Sequence, residues 1–147
     1  MRKITTLIIS AAFVALVMAI PAWSQESTTS LIKQLKEDTE RFSKSVDKAL
    51  DRSSIDGSQL EDEINRYVKS FEEQIGTLQG DWEEKRDTTK ASAEELMVRG
   101  RTINNFLNKH TDRFKSAVHT EWKSVKLDIG RIAKANKLEV NWEAGDK

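Results

Sequence analysis

The groups able to do chemistry are few in this chain of 147 residues, and they do not sit together. Cysteine is absent, which removes disulfides, thiolate metal sites, covalent c-type haem and an acylated lipoprotein anchor. His110, His119 and Met97 are the side chains outside the N-terminal leader that could ligate haem. His110 falls in a polar loop at a helix end. His119 lies beside Val118 rather than on the apolar line through Val118 and Trp122, so no pair has a reason to converge, and solvated histidines are the expectation. A di-metal carboxylate site needs Glu three residues before His. Here those positions hold Leu107 and Ser116. The acidic stretch Asp51–Asp62 superficially resembles a calcium loop. Ile55 stands where a ligand is needed, Asp56 where the loop needs glycine, and Asp62 where it usually needs glutamate. A turn followed by a helix cap explains these residues better. There is no nucleophile elbow, P-loop or dinucleotide fingerprint. The remaining carboxylates are mixed with Lys and Arg, as on a solvated helix face. The expectation is a non-enzymatic protein with no catalytic residue, no cofactor and no metal site.

Residues 1–24 have the order of a secretory signal peptide. Arg2 and Lys3 form a basic start, Ile4–Ile20 an apolar run, and Pro21-Ala-Trp-Ser24 a closing segment with small residues at Ala22 and Ser24. Cleavage is expected before Gln25, leaving residues 25–147 as one domain. An uncleaved anchor is the competing reading. The apolar run is at the short end of the roughly 17–25 residues a spanning helix needs, Pro21 breaks it, and no basic stop-transfer cluster follows. The expected location is therefore periplasmic or secreted, with no membrane association beyond the signal peptide.

Charged residues make up 33% of the chain, evenly divided between 24 basic and 24 acidic, and mean hydropathy is −0.60. Removing Arg2 and Lys3 tips the balance slightly acidic, with no polybasic block. Phosphate binding by counterion release needs concentrated positive charge, so nucleic acid is an unsuitable partner. The single proline lies in the leader. A charge-rich chain without further proline suits helices.

Four stretches carry apolar residues at helical spacing, over about 28–51, 58–85, 92–108 and 112–135. In the first, Leu31, Leu35, Phe42, Val46 and Ala49/Leu50 form the stripe, with Thr39 filling one turn. In the second, Leu60, Ile64, Val68, Phe71, Ile75, Leu78 and Trp82 keep a spacing near 3.5, as in bundle and coiled-coil helices. The third presents Ala93, Leu96/Met97, Gly100, Ile103 and Phe106/Leu107, and the fourth Phe114, Val118, Trp122, Val125, Ile129 and Ile132. Short polar loops favour antiparallel neighbours. The predicted fold is all-α: an up-down-up-down four-helix bundle with an extended C-terminal tail.

Local signals punctuate the pattern. Asp56-Gly57 marks a turn. Ser58 with Glu61, and Ser92 with Glu95, read as capping boxes, and Thr111 or Asp112 as the cap of the last helix. Gly76 and Gly80 lie off the apolar stripe and read as weak points or close-contact sites. Gly100 lies on its own stripe, which suggests room for a bulky neighbour, with Trp82 and Trp122 the natural candidates. Both tryptophans are expected in the core. After the last helix, Leu138, Val140 and Trp142 alternate with polar residues. That alternation predicts an extended segment with one buried face, which either closes the bundle or offers Trp142 as a partner anchor.

The stretch from Phe42 to Trp142 resembles a group of small, exported, uncharacterised bacterial helical proteins. The residues concerned are Asp51-Arg-Ser-Ser-Ile-Asp-Gly57, Glu61-Asp62, Ile64-Asn65, Tyr67-Val68, Phe71-Glu72, Ile103-Asn-Asn-Phe106, Trp122, Asp128 and Val140-Asn-Trp142. The resemblance implies a shared bundle and no activity. Three functions follow as expectations. The first is a binding or structural module of the cell envelope whose partner is another envelope or secreted protein, or a second copy of this chain. The second is a periplasmic chaperone or stress adaptor with an apolar groove. The third is a carrier of haem or another small apolar ligand.

Overall fold

The computed structural model describes residues 27–51 and 58–143. The leader and the Gly57 turn lie outside the described residues. Four helices follow one another: α1 Thr28–Leu50, α2 Gln59–Glu83, α3 Thr89–Lys109 and α4 Ser116–Ala135. Each neighbours the helices before and after it, and α4 closes the cycle on α1. This is the up-down-up-down four-helix bundle. The seams are unequal: α1 lies closely along α4 and α2 along α3, while α1–α2 and α3–α4 are more open.

The apolar stripes meet as predicted in one core. Leu35, Phe42, Ile64, Phe71, Ile75, Leu78, Leu96, Ile103 and Ile129 are among its buried side chains. Burying such groups stabilises by about 1.5–3 kcal/mol each. Trp122 is buried at its centre, with ring centroids 5.0 Å from Phe42 and 6.0 Å from Phe71. Trp82 departs from expectation. It is only partly buried, because it sits at the edge where α2 ends.

The helix ends are set by hydrogen bonding. The Ser58 hydroxyl accepts the Glu61 N–H at 3.4 Å, so that cap forms as predicted. At the other end of α2, Lys85 takes a left-handed φ of 52°. The Arg86 N–H then reaches the Asp81 carbonyl at 2.8 Å and the Lys85 N–H the Trp82 carbonyl at 3.1 Å. The same pair of bonds closes α4. Lys137 has φ 57°, Leu138 N–H donates to Ala133 at 2.9 Å, and Lys137 N–H donates to Lys134 at 3.1 Å. Both are Schellman endings, with lysine where glycine is usual.

Two predicted starts are corrected. Helix α3 begins at Thr89, three residues before Ser92, so Ser92 and Glu95 form no capping box. Ser92 is instead buried within the helix, and its hydroxyl donates to the Asp81 carboxylate. Glu95 accepts from Arg99 Nε at 2.9 Å, and Arg99 Nη1 continues to the Ser70 carbonyl at 2.7 Å, tying α3 to α2. Helix α4 begins at Ser116 behind Lys115, later than expected. The Thr111 hydroxyl turns backward to the Leu107 and Asn108 carbonyls at 3.1 and 2.9 Å, finishing α3 rather than starting α4. The intervening turn tucks Phe114 into the core, 5.9 Å from Phe106.

Candidate functional site

The two open seams differ in what occupies them. After the Lys137 reversal, Leu138, Val140 and Trp142 turn onto the core as partly buried side chains. The Trp142 ring stands edge-on to Trp122, 6.4 Å between centroids, and Lys126 Nζ lies 5.5 Å from its centre. Asn104 on α3 joins this arrangement from inside the bundle. Its Oδ1 accepts the Trp122 indole N–H at 3.2 Å, and its Nδ2 donates to the Trp142 carbonyl at 3.4 Å. The tail thus closes the α3–α4 side instead of holding Leu138, Val140 and Trp142 out as a free anchor.

Gly100 makes this closure sterically feasible, though not for the tryptophans predicted. A methyl group there would stand 3.0 Å from Ile129 Cδ1 and 3.6 Å from both Phe71 Cε2 and Trp142 Cη2. The bulky neighbour is Trp142, with Ile129 and Phe71, rather than Trp82 or Trp122. Gly76 and Gly80 have open space around the same position, so they are weak points and not close-contact sites.

The α1–α2 seam has no such filling among the described residues. A surface pocket of about 320 Å³ lies there, lined by Lys36, Thr39, Glu40, Glu72 and Ile75. A second, of about 210 Å³, continues beyond Lys36 to Ile32, Gln79 and Trp82. Lys36 Nζ donates to Gln79 Oε1 at 2.9 Å across the boundary between them. Thr39, in the lining of the first pocket, is 1% exposed, and its hydroxyl has no hydrogen-bond partner. A buried hydroxyl is normally paired, since leaving it unpaired costs about 1–3 kcal/mol.

The electrostatics of this seam are acidic. Burial pushes the Glu72 carboxyl above its ordinary value, Asp47 and Glu40 push it further, and a Ser43 hydrogen bond partly offsets them. Among the described residues neither Glu72 nor Asp47 has an ion pair, and Glu40 has Lys44 only at 4.0 Å. At the far corner of α2 the opposite holds. The Ser92 hydroxyl holds Asp81 below the usual carboxylate range, against the effect of burial and with help from Thr88 and Arg86. Arg86 Nη1 lies 3.1 Å from Asp81 Oδ1. This corner is a satisfied structural joint.

Neither histidine is the fully solvated group expected. His110 packs 4.7 Å from the Phe106 ring, and His119 Nε2 is buried without a partner. One closes α3 and the other lies in the first turn of α4. Among the described residues no group of three or more His, Asp or Glu side chains is arranged to hold a metal ion. Nor is any described helix long and apolar enough to cross a membrane.

Thr39 and Asn104 carry the two seams, and the spacing marked only the first, as a polar residue on an apolar stripe. The site geometry defines a four-helix bundle with one side closed by its own tail and the opposite side open. Comparison with protein-family models, curated proteins and solved structures returns no match.

Proposed function

We propose that the protein is an exported, non-enzymatic binding module of the cell envelope, and that the α1–α2 seam is the surface it uses. The order of residues 1–24 supports export. The observation that carries the binding role is the contrast between seams. The α3–α4 side is filled by Trp142 over Gly100, whereas the α1–α2 side keeps a groove lined by Ile75, Lys36, Glu40, Glu72 and Thr39, whose buried hydroxyl is unpaired. A concave apolar surface with a few convergent polar groups is the ordinary form of a binding site.

The test places a photocrosslinking residue at Gln79, in the seam, and at Glu94, on the exposed side of α3, in the native host. The expected result is a discrete adduct from position 79 and none from 94. No adduct from 79, or equal adducts from both, overturns the proposed surface. Catalytic turnover abolished by one point substitution overturns the non-enzymatic role. Export is checked by intact mass, which should begin at Gln25.

A further inference from the structure

The tail lies in a groove that the helices themselves build. The α3–α4 seam is open, and Gly100 leaves a notch in its wall that receives the Trp142 ring. Leu138, Val140 and Trp142 fill the groove with side chains. Among the described residues, the hydrogen bond tying residues 139–143 to the helices is the one from Asn104 Nδ2 to the Trp142 carbonyl, long at 3.4 Å. The tail can therefore leave the groove without breaking a helix. Its hinge is short. Asn136 and Lys137 alone separate α4 from Leu138, and Lys137 has φ 57°, a conformation unfavourable for a residue with a side chain. Short hinges under strain favour exchange of the segment they carry between copies of a chain.

Direction decides which partner fits. The tail runs back along α4: Leu138 N–H bonds the Ala133 carbonyl, and the Trp142 ring lies beside Lys126 and Trp122, nearer the start of that helix. Straightening the hinge makes the tail continue in the direction of α4 instead. A second copy placed end to end, with its α4 antiparallel to the first, presents its own groove along that line. We infer that two copies of this chain exchange tails, each Trp142 seating in the other copy's Gly100 notch. Every tail contact of the single chain is remade between copies, so only the hinge and the cost of association change. The arrangement is two-fold and closes on itself. The ends that meet carry Lys134 and Lys137 from each copy, so repulsion opposes the exchange at low salt and screening favours it. The exchange uses the α3–α4 side and is independent of any role of the α1–α2 seam.

The experiment mixes isotope-labelled and unlabelled full-length mature protein at high salt and reads native mass spectra. Mixed-mass dimers that grow with protein concentration are expected. Monomer alone at every concentration overturns the exchange. Two variants are then mixed. Trp142→Ala keeps the notch and loses the ring that fills it, whereas Gly100→Leu keeps the ring and fills the notch. Their heterodimer restores one ring in one notch, so it should exceed random pairing several-fold. Heterodimers no more abundant than random pairing gives overturn the exchange and assign any dimer to another face. Lys137→Gly relaxes the closed turn and should lower the dimer fraction several-fold. An unchanged or higher fraction also overturns the exchange. This last variant alters no packed side chain of the core, so it decides the matter even where Trp142→Ala or Gly100→Leu fails to fold.

Discussion

The indole N–H of Trp122 donates to Asn104 Oδ1 at 3.2 Å inside the bundle, and the same Asn104 amide reaches the Trp142 carbonyl at 3.4 Å. One buried side chain therefore links α3, α4 and the tail. Asn104→Ala leaves a buried indole donor unpaired and should cost about 1–3 kcal/mol in urea unfolding. Asn104→Ala combined with Trp122→Phe should cost less than the two singles added, because the pair is removed together. Additive costs would mean that the bond contributes nothing.

The glycines separate by their surroundings. Gly76→Ala and Gly80→Ala add a methyl group in open space within a helix, and each should stabilise by roughly 0.5–1 kcal/mol. Gly100→Ala meets Ile129 Cδ1 at 3.0 Å and should fall short of that gain. Gly100→Leu overfills the site, at about 1–3 kcal/mol, and should displace Trp142. Thermal melting ranks the variants, and iodide quenching of tryptophan fluorescence reports the displaced ring.

Asp81 and Glu72 should give opposite responses to pH. The Ser92 hydroxyl lowers the folded-state pKa of Asp81. Its stabilisation is complete above the unfolded carboxylate value and is lost as pH falls through the lowered one. Ser92→Ala removes the main cause, so the variant's loss of stability relative to wild type should be largest at neutral pH and should shrink in acid. Urea unfolding across the acid range measures it.

Glu72 has its folded-state pKa raised, chiefly by burial. Its contribution is most favourable below the unfolded value and is lost as pH rises through the raised one, so the ionised group is a cost at neutral pH. Glu72→Gln should raise the melting temperature at pH 7, and the gain should vanish in acid. A lower melting temperature at pH 7 would mean that Glu72 is satisfied where it stands.

Lys85 and Lys137 hold left-handed backbone at the ends of α2 and α4. That conformation costs a non-glycine residue about 1–2 kcal/mol. Lys85→Gly and Lys137→Gly should each raise stability, less than that because glycine also frees the unfolded chain. Melting curves of the single variants check it. No gain at Lys137 would show that its side chain contributes at the turn.

Much of the bundle was legible because helical periodicity is local. Leu31, Phe42, Ile64, Phe71, Trp122 and Ile129 each lie on a face set by their own neighbours in sequence, and all six are buried. Ser58 was legible for the same reason, since its partner is three residues away. Ser92 has the same local pattern and a different fate, because its hydroxyl finds Asp81 on another helix. Thr111 likewise turns toward the helix it follows. A hydroxyl bonds whichever group the fold presents, and spacing does not show that group.

The sequence by itself determined the number of helices and their buried faces, since each depends on the side-chain period of a single segment, and it left open whether Leu138, Val140 and Trp142 close the bundle. Tertiary structure alone decided that Gly100 receives Trp142, that Asn104 joins both tryptophans, and that the α1–α2 side stays open over Thr39. Those outcomes depend on how far apart neighbouring helices stand. That separation is settled only when all four pack against one another.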